Sequence, residues 1–122
     1  MRRYQFEQVV LEALEGLPRQ FRAALDNVDI EVRGQPSLNE LRRARVRRGH
    51  TLFGTYTGIP LTKRGHHYTM TLPDKIIIYQ GPHEDLFAEE EAMVAQVERT
   101  LRHEIGHYLG IDEGRLHELG LG

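Results

Sequence analysis

The feature that most constrains the fold is a long amphipathic segment near the end of the chain, at about residues 88–109. Its apolar residues recur at intervals of three and four, which is the period of an α-helix with one face in a core. These residues are Val94, Val97, Leu101, Ile105 and Tyr108. Gly110 follows them, and a glycine at this position predicts a sharp turn out of the helix. The rest of the 122-residue chain must therefore supply the core on which this helix packs.

The remaining segments predict an α+β fold. Three are expected to be helices, from apolar periodicity or from a helix-initiating proline or serine: residues 4–15, 18–26 and 37–48. Three are expected to be strands: residues 28–32, 52–56 and 75–79. Gly81 and Pro82 are expected to end the last strand, residues 58–68 to form a loop, and residues 112–119 to add one or two helical turns. We therefore expect a single domain, residues 1–122, with helices packed on one face of a small sheet.

Composition excludes several classes of function. The chain has no cysteine, which excludes disulfides, cysteine-ligated zinc and thiol catalysis. Its formal net charge is −2, which gives no general attraction to nucleic acids or anionic membranes. The longest strongly apolar run, residues 76–78, is too short to cross a bilayer, and Glu7, Glu12 and Glu15 interrupt the N-terminal segment where a signal peptide would be apolar. We therefore expect a cytoplasmic protein with no membrane partner.

Two histidines of the long helix lie away from its core stripe. His103 is two residues from both Leu101 and Ile105, and residues two apart on a helix point about 200° apart. His103 and His107 are four apart, so their side chains lie one turn from each other on a polar face, within reach of a single metal ion. Glu104 is rotated about 100° from His103, which places its carboxylate beside such an ion, where it can hold and deprotonate a water molecule.

The turn at Gly110 can supply a third ligand. In a continued helix, residue 113 would lie about 9 Å beyond His107 along the axis, too far to share an ion. A glycine turn instead brings Asp112 or Glu113 back toward the imidazoles, and the spacing leaves both open. Three protein ligands leave one position for water, as in a catalytic zinc site. The same ligands would also accept manganese, cobalt or nickel.

The motif is similar to the HExxHxxGxx(H/D) signature of zincin metallopeptidases, matched here by His103, Glu104, His107, Gly110 and, as a departure, Glu113. The metzincins are similar only in part, since they have histidine at the last position and a later Met-turn. The chain more closely resembles the minimal zincin-like metallopeptidases, a family of small bacterial single-domain proteins once listed as a domain of unknown function. That resemblance covers nearly the whole chain, in the segments FEQVVLEALEGLPRQFRAALDNVDIEV (6–32), LFGTYTGIPLTKRG (52–65), LPDKIIIYQGP (72–82) and RTLRHEIGHYLGIDEGRLHELG (99–120).

The resemblance implies a minimal zincin-like fold, with a small mixed sheet packed with helices and the active-site helix near the C-terminus. It implies a zinc-dependent metalloendopeptidase that acts on peptide or protein substrates. In it His103, His107 and a third residue would bind one zinc ion, and Glu104 would be the general base. The family usually has aspartate at the position of Glu113, and this departure leaves Asp112 open as the alternative ligand.

The resemblance also bears on how a substrate would bind. In zincins an edge strand lends backbone hydrogen bonds to the bound peptide, a role open here to residues 76–79 or residues 52–56. Three consecutive isoleucines favour a strand buried on both faces for residues 76–79.

The leading alternative function is a non-catalytic metal-binding or protein-interaction domain that retains the site. The sequence pattern specifies no oligomeric state.

Several other polar residues are given structural interpretations. A basic run is interpreted as a solvated helix face, because no aromatic residue is interleaved and the net charge is negative, which argues against nucleic-acid binding. It consists of Arg42, Arg43, Arg45, Arg47 and Arg48. Three histidines are expected at the surface: His50, His66 and His67. Tyr68 and Tyr79 are expected to be packing residues, and His117 is left out of the ligand set because no spacing rule places it.

Overall fold

The computed structural model describes residues 1–61 and 74–119. The helices and strands follow in the order α1 (Arg3–Glu15), α2 (Arg19–Ala24), a short 3-10 turn (Leu25–Asn27), β1 (Val28–Arg33), α3 (Leu38–Arg43), β2 (Gly54–Thr57), β3 (Asp74–Tyr79), α4 (Gln80–Leu86), α5 (Glu90–Tyr108) and α6 (Glu113–Glu118). The predicted α+β class is confirmed, as is the long helix near the C-terminus. None of the helices in the described ranges is long and apolar enough to span a bilayer.

The three strands form a mixed sheet with β3 in the centre. β1 pairs with β3 in parallel, with Ile30 opposite Ile76, and β2 pairs with β3 antiparallel, with Gly54 opposite Ile78. Both edges of β3 are therefore occupied, so β3 cannot pair with a bound peptide. Among the strands of residues 1–61 and 74–119, β2 has a neighbour on one side only.

β3 is buried on both faces, as its consecutive isoleucines indicated. Ile76, Ile77 and Ile78 are 0%, 2% and 0% exposed. Ile76 and Ile78 belong to the main core, whereas Ile77 and Tyr79 point to the opposite face because side chains alternate along a strand. The Tyr79 hydroxyl donates a hydrogen bond to the carboxylate of Glu40 on α3. α3 is thereby attached to the second face of the sheet.

The main core lies between the sheet and the helices α1 and α5. It is built from apolar side chains of these elements: Phe6, Val9, Val10, Ala13, Leu17, Val28, Ile76, Ile78, Met93, Val97, Leu101, Ile105 and Tyr108. The stripe predicted for the long helix is confirmed, with Val97, Leu101, Ile105 and Tyr108 buried and Val94 packed against the core at partial exposure. Burying a large apolar side chain contributes about 1.5–3 kcal/mol, so this stripe fixes which side of α5 faces inward.

The sequence pattern misses helix α4. It predicts only that Gly81 and Pro82 end the strand, but β3 passes directly into a helix that begins at Gln80. The proline is compatible with this helix because it lies in the first turn, where a backbone N–H has no intrahelical acceptor. α4 buries His83, whose ring lies beside that of the core residue Phe6.

Two other helices are shorter than predicted. α2 ends at Ala24 and passes into the 3-10 turn. α3 ends at Arg43, because Arg45 adopts a left-handed backbone conformation with φ of 55°, through which a right-handed helix cannot continue. Of the loop predicted at residues 58–68, only residues 58–61 belong to the described ranges.

The end of α5 forms the sharp turn that its glycine predicts. Gly110 has a φ of 84°, and its N–H donates to the His107 carbonyl at 2.9 Å. The N–H of Ile111 donates to the Gly106 carbonyl at 2.9 Å, which completes a Schellman motif. α6 then folds back so that the fully buried Leu116 rests on Gly106, where an added Cβ would lie 2.3 Å from a Leu116 methyl carbon. Glycine at this position therefore allows α6 to lie directly against α5.

Replacing Leu116 with alanine is expected to lower the free energy of unfolding by about 2–4 kcal/mol, because Leu116 is completely buried and Gly106 cannot fill the space it leaves. Urea denaturation would measure the change. Leu119→Ala is the matched control, since Leu119 is 46% exposed and its truncation should cost less than about 0.5 kcal/mol. Equal effects of the two substitutions would show that α6 is not anchored through Leu116.

A buried histidine makes the stability of the fold depend on pH. His83 is fully buried, with its ring centroid 5.5 Å from that of Phe6 and 4.8 Å from that of Phe53. Its Nδ1 lies 2.7 Å from the Tyr79 carbonyl oxygen, to which it donates, and its Nε2 has no partner within residues 1–61 and 74–119. Burial lowers the pKa of His83 below its ordinary 6.5, although the hydrogen bond to Tyr79 opposes the shift. The folded state therefore favours the neutral ring.

We expect the free energy of unfolding to fall as the pH drops below about 6.5, because the unfolded chain then binds a proton that folded His83 does not. The decrease through this residue is at most about 1.4 kcal/mol per pH unit and stops once the pH reaches the lower pKa of the folded state. Urea denaturation of the wild type and of His83→Phe at pH 7.5, 6.5 and 5.5 isolates the contribution. Parallel pH profiles of the two proteins would refute it.

Candidate metal centre

The two histidines of the HExxH motif converge on one side of α5. Their side chains lie one helical turn apart, and the Nε2 atoms of His103 and His107 are 3.1 Å from each other. Both rings are partly exposed, on the side of the helix away from the buried Leu101 and Ile105. The sequence predicts this placement, because the core stripe fixes the rotation of the helix about its axis.

The carboxylate of Glu113, the first residue of α6, lies close to both imidazole rings. Glu113 Oε1 lies 3.1 Å from His103 Nε2 and 2.7 Å from His107 Nε2. The three atoms thus form a triangle with sides of 2.7–3.1 Å. A tetrahedral zinc ion, with bonds of about 2.0–2.2 Å, holds its ligand atoms about 3.3–3.6 Å apart. The donor types and their spacing therefore fit a single ion after a slight outward movement.

The neighbouring acidic residue has a different environment. Asp112 is the N-cap of α6, and its Oδ1 accepts a hydrogen bond from the backbone N–H of Arg115 at 2.8 Å. This interaction satisfies one of the free N–H groups at the start of the helix. The capping role directs the Asp112 carboxylate toward the backbone of α6 and leaves Glu113, one residue later, beside the imidazoles.

Glu104 lies next to the histidines but is buried. Its side chain is largely shielded from solvent, its Oε2 is 3.9 Å from His103 Nε2, and ligand atoms of His103, Glu104 and His107 all lie within 4.8 Å of one another. Burial, and to a smaller extent the charge of Glu113, raise the pKa of Glu104 to about 8. A hydrogen bond from the backbone N–H of Tyr56 acts in the opposite direction and lowers this pKa. β2 therefore contacts the Glu104 carboxyl group directly.

Burial also keeps the second histidine neutral. It lowers the pKa of His107, and so does the charge of a protonated His103, whereas Glu113 acts in the opposite direction. A neutral imidazole offers the lone pair that a metal ion requires. The lowered pKa thus favours His107 as a metal ligand near neutral pH.

The cluster opens into a cleft of about 930 Å³. One side is formed by α5 and α6 with His103, Glu104, His107 and Glu113, and β2 runs along it. The other side is α3, from which Glu40 and Arg43 reach the cleft. No pattern in the sequence predicts that α3 borders the site. Its only local signal was the Ser37-x-x-Glu40 capping box, which marks a helix start but not what the helix faces.

The remaining histidines do not join this group within the described ranges. His50 and His117 are exposed. His66, His67 and Tyr68 lie outside the described residues. Tyr79 is fully buried, as expected of a packing residue.

A long helix that carries HExxH, a glycine turn that returns a carboxylate to the two imidazoles, and an adjacent strand are the features of a zincin-like protein. The sequence profile of the zincin-like metallopeptidases matches residues 25–122, and the chain belongs to this family.

A solved structure supports the fold independently. A conserved hypothetical protein from Thermus thermophilus aligns with a TM-score of 0.58 and 24% sequence identity, over 93% of this chain and 99% of that chain. At this identity the similarity concerns the fold alone. No curated protein matches the chain significantly.

Proposed function

We propose that this protein is a zinc-dependent metalloendopeptidase that hydrolyses peptide bonds by means of a water molecule and a glutamate base. The proposal rests above all on one observation, the convergence of His103 Nε2, His107 Nε2 and Glu113 Oε1 within 3.1 Å of one another, beside the carboxyl group of Glu104. Membership of the zincin-like family supports it. A cytoplasmic location and a single domain stay predictions from the sequence.

In this proposal His103, His107 and Glu113 hold the metal ion. Zinc, when bound, would polarise the scissile carbonyl and lower the pKa of water to about 7. Two imidazoles and one carboxylate suit zinc, and they are also compatible with manganese, cobalt or nickel. The three residues come from α5 and α6, so the turn at Gly110 brings the ligand set together.

Glu104 would act first as general base and then as general acid. As a carboxylate it takes a proton from the attacking water, and it then returns this proton to the nitrogen of the leaving amine. A group that must both accept and donate a proton works best with a pKa near the pH at which the enzyme acts. Burial gives Glu104 such a pKa. The Tyr56 N–H holds the carboxylate in place from the side of β2.

β2 would bind the substrate as an added strand. Among the strands of residues 1–61 and 74–119, β2 is the one whose outer edge borders the cleft, whereas β3 is enclosed. β2 also lies close to α5, as a Cβ added at Gly54 would be only 2.7 Å from the Thr100 methyl group. A peptide on this edge would pass directly beside Glu104.

The shape of the surface favours cleavage within a chain. A second depression of about 230 Å³ shares His103 and Glu104 with the main cleft and extends along α5 past Gln96 and Arg99. The proposed reactive groups therefore lie between two depressions, and an extended peptide could continue on both sides of them. This arrangement supports an endopeptidase over an enzyme that trims chain ends.

The direct test combines metal analysis with a protease assay on the purified protein. The proposal requires about one zinc ion per chain and hydrolysis of casein that stops on chelation and returns with zinc. The alternative is a non-catalytic metal-binding or protein-interaction domain that retains the site. Bound zinc without cleavage of casein or of unstructured peptides would favour this alternative.

Glu113→Ala is expected to weaken zinc binding by at least about 100-fold, because removal even of groups that only orient metal ligands costs 10–100-fold. Asp112→Ala removes a helix cap and should instead lower the free energy of unfolding by about 1 kcal/mol, with little change in zinc affinity. Competition with a chromophoric chelator measures the affinity. Equal losses for the two variants would contradict Glu113 as the third ligand.

A further inference from the structure

A cluster of arginine side chains stands beside the cleft without any role in the chemistry described above. We call residues 42–48 the arginine turn. It begins with the last two residues of α3 and continues beyond the helix. It contains five exposed arginines: Arg42, Arg43, Arg45, Arg47 and Arg48. Residues 41–50 contain no acidic residue. A strongly positive surface thus lies on a chain whose formal net charge is −2.

None of these five guanidinium groups has an ion pair, a side-chain hydrogen bond or a ring contact within residues 1–61 and 74–119. Three arginines elsewhere in the protein are paired. Arg33, Arg102 and Arg115 lie 2.9, 2.6 and 3.0 Å from a carboxylate oxygen. The positive charge of the turn is therefore not neutralised by the neighbouring acidic residues of the fold.

The turn has a defined backbone. The N–H of Arg45 donates to the Arg42 carbonyl at 3.1 Å, that of Val46 to the Leu41 carbonyl at 3.1 Å, and that of His50 to the Arg47 carbonyl at 2.9 Å. Arg45 has a positive φ, a conformation that glycine or asparagine would adopt with less strain.

α3 fixes the turn next to the proposed reaction site. Glu40 accepts hydrogen bonds from the Ser37 N–H and from the Tyr79 hydroxyl, and it lies 3.5 Å from Arg33. These contacts attach α3 to the sheet. The same cleft is lined by Arg43 on this side and by Glu104 on the other. A chain bound in the cleft would therefore pass close to the arginine turn.

We propose that the arginine turn is a second binding surface that holds acidic segments of the polypeptide substrate. Guanidinium groups bind carboxylates with paired hydrogen bonds and are weakly hydrated, so acidic side chains would relieve the mutual repulsion of the five charges. A nucleic acid fits less well, because no aromatic residue is interleaved for base stacking and the rest of the protein is acidic. This inference rests on the proposed peptidase function and names a class of substrate for it.

The test measures binding separately from cleavage. Zinc-loaded Glu104→Gln protein is titrated into a fluorescein-labelled peptide with a run of four glutamates at one end, and into the same peptide with four glutamines. We expect about tenfold tighter binding of the acidic peptide at 50 mM NaCl, and a smaller difference at 300 mM, because the contacts are electrostatic. Adding Arg47→Gln and Arg48→Gln should remove most of the preference. Adding Arg19→Gln and Arg22→Gln, an equal change of charge on α2, should preserve it.

With the enzyme that retains Glu104, the glutamate run should lower KM and leave kcat unchanged, and Arg47→Gln with Arg48→Gln should raise KM for the acidic peptide alone. Equal affinity for the two peptides, or equal effects of the two arginine pairs, would overturn the inference. So would tighter, arginine-dependent binding of a 20-nucleotide single-stranded RNA. Acid-selective binding without hydrolysis would overturn only the peptidase function, and hydrolysis without acid selectivity would overturn only the inference.

Discussion

Glu104→Gln is expected to bind zinc like the wild type and to hydrolyse peptides about 100- to 10,000-fold more slowly, the usual range for the loss of a general acid or base. Glutamine has the shape of glutamate, and its carbonyl oxygen can still accept the hydrogen bond from the Tyr56 N–H. It cannot accept a proton from water or return one to the leaving amine. The loss should therefore fall on kcat, with little effect on KM.

Steady-state kinetics on a fluorogenic peptide, with zinc content measured on the same sample, would test this expectation. If the inactive variant retains its zinc, the loss of activity is due to loss of the base and not to loss of the metal site. The far-ultraviolet circular dichroism spectrum should be unchanged, since the substitution preserves volume at a buried position. If Glu104→Gln cleaves as fast as the wild type, the proposed role of Glu104 is wrong.

His107→Ala is expected to abolish both zinc binding and hydrolysis. The substitution removes one of three atoms that lie within 3.1 Å of one another, and zinc affinity should fall by more than the roughly 10–100-fold typical of residues that only support a ligand. Chelator competition measures the affinity, and the same samples measure activity. The opposite metal-binding behaviour of Glu104→Gln makes the two variants a matched pair.

Thermal unfolding adds a second readout of the same substitution. Because the proposed ligands belong to both α5 and α6, bound zinc should raise the melting temperature of the wild type, and EDTA should lower it. The melting temperature of His107→Ala should change with neither zinc nor EDTA. His117→Ala is the control, since His117 is exposed on α6 and should preserve the response. A full zinc response in His107→Ala would refute its assignment as a ligand.

Much of the site could be predicted because its spacing is local. The period of the core stripe in α5 sets the helix rotation, and this rotation places His103 and His107 together on the opposite side. The position of Gly110 after the helix predicts the turn, and the observed φ of 84° agrees with it. Each of these features depends on residues within a few positions of one another, so a pattern in the sequence is enough.

The choice between two adjacent acidic residues could not be made from spacing. Both Asp112 and Glu113 follow the glycine turn at workable distances. In the structure Asp112 caps α6, whereas Glu113 is the residue that faces the two imidazoles. This arrangement requires α6 to lie on α5, which in turn depends on Leu116 fitting against Gly106. A contact between residues ten apart on two helices has no periodic signature.

The fold class, the core face of the long helix and the pair of histidines opposite it could all be predicted from the sequence, because they follow from the local periods of helices and strands and from the glycine that ends the long helix. Only the folded structure shows the order of the described strands, which places β2 beside Glu104, and the position of α3, which brings the arginine turn to the cleft. The physical reason is that strand order and helix docking arise from contacts between residues far apart in the chain. The Tyr79–Glu40 hydrogen bond, for example, joins two segments that no local pattern relates.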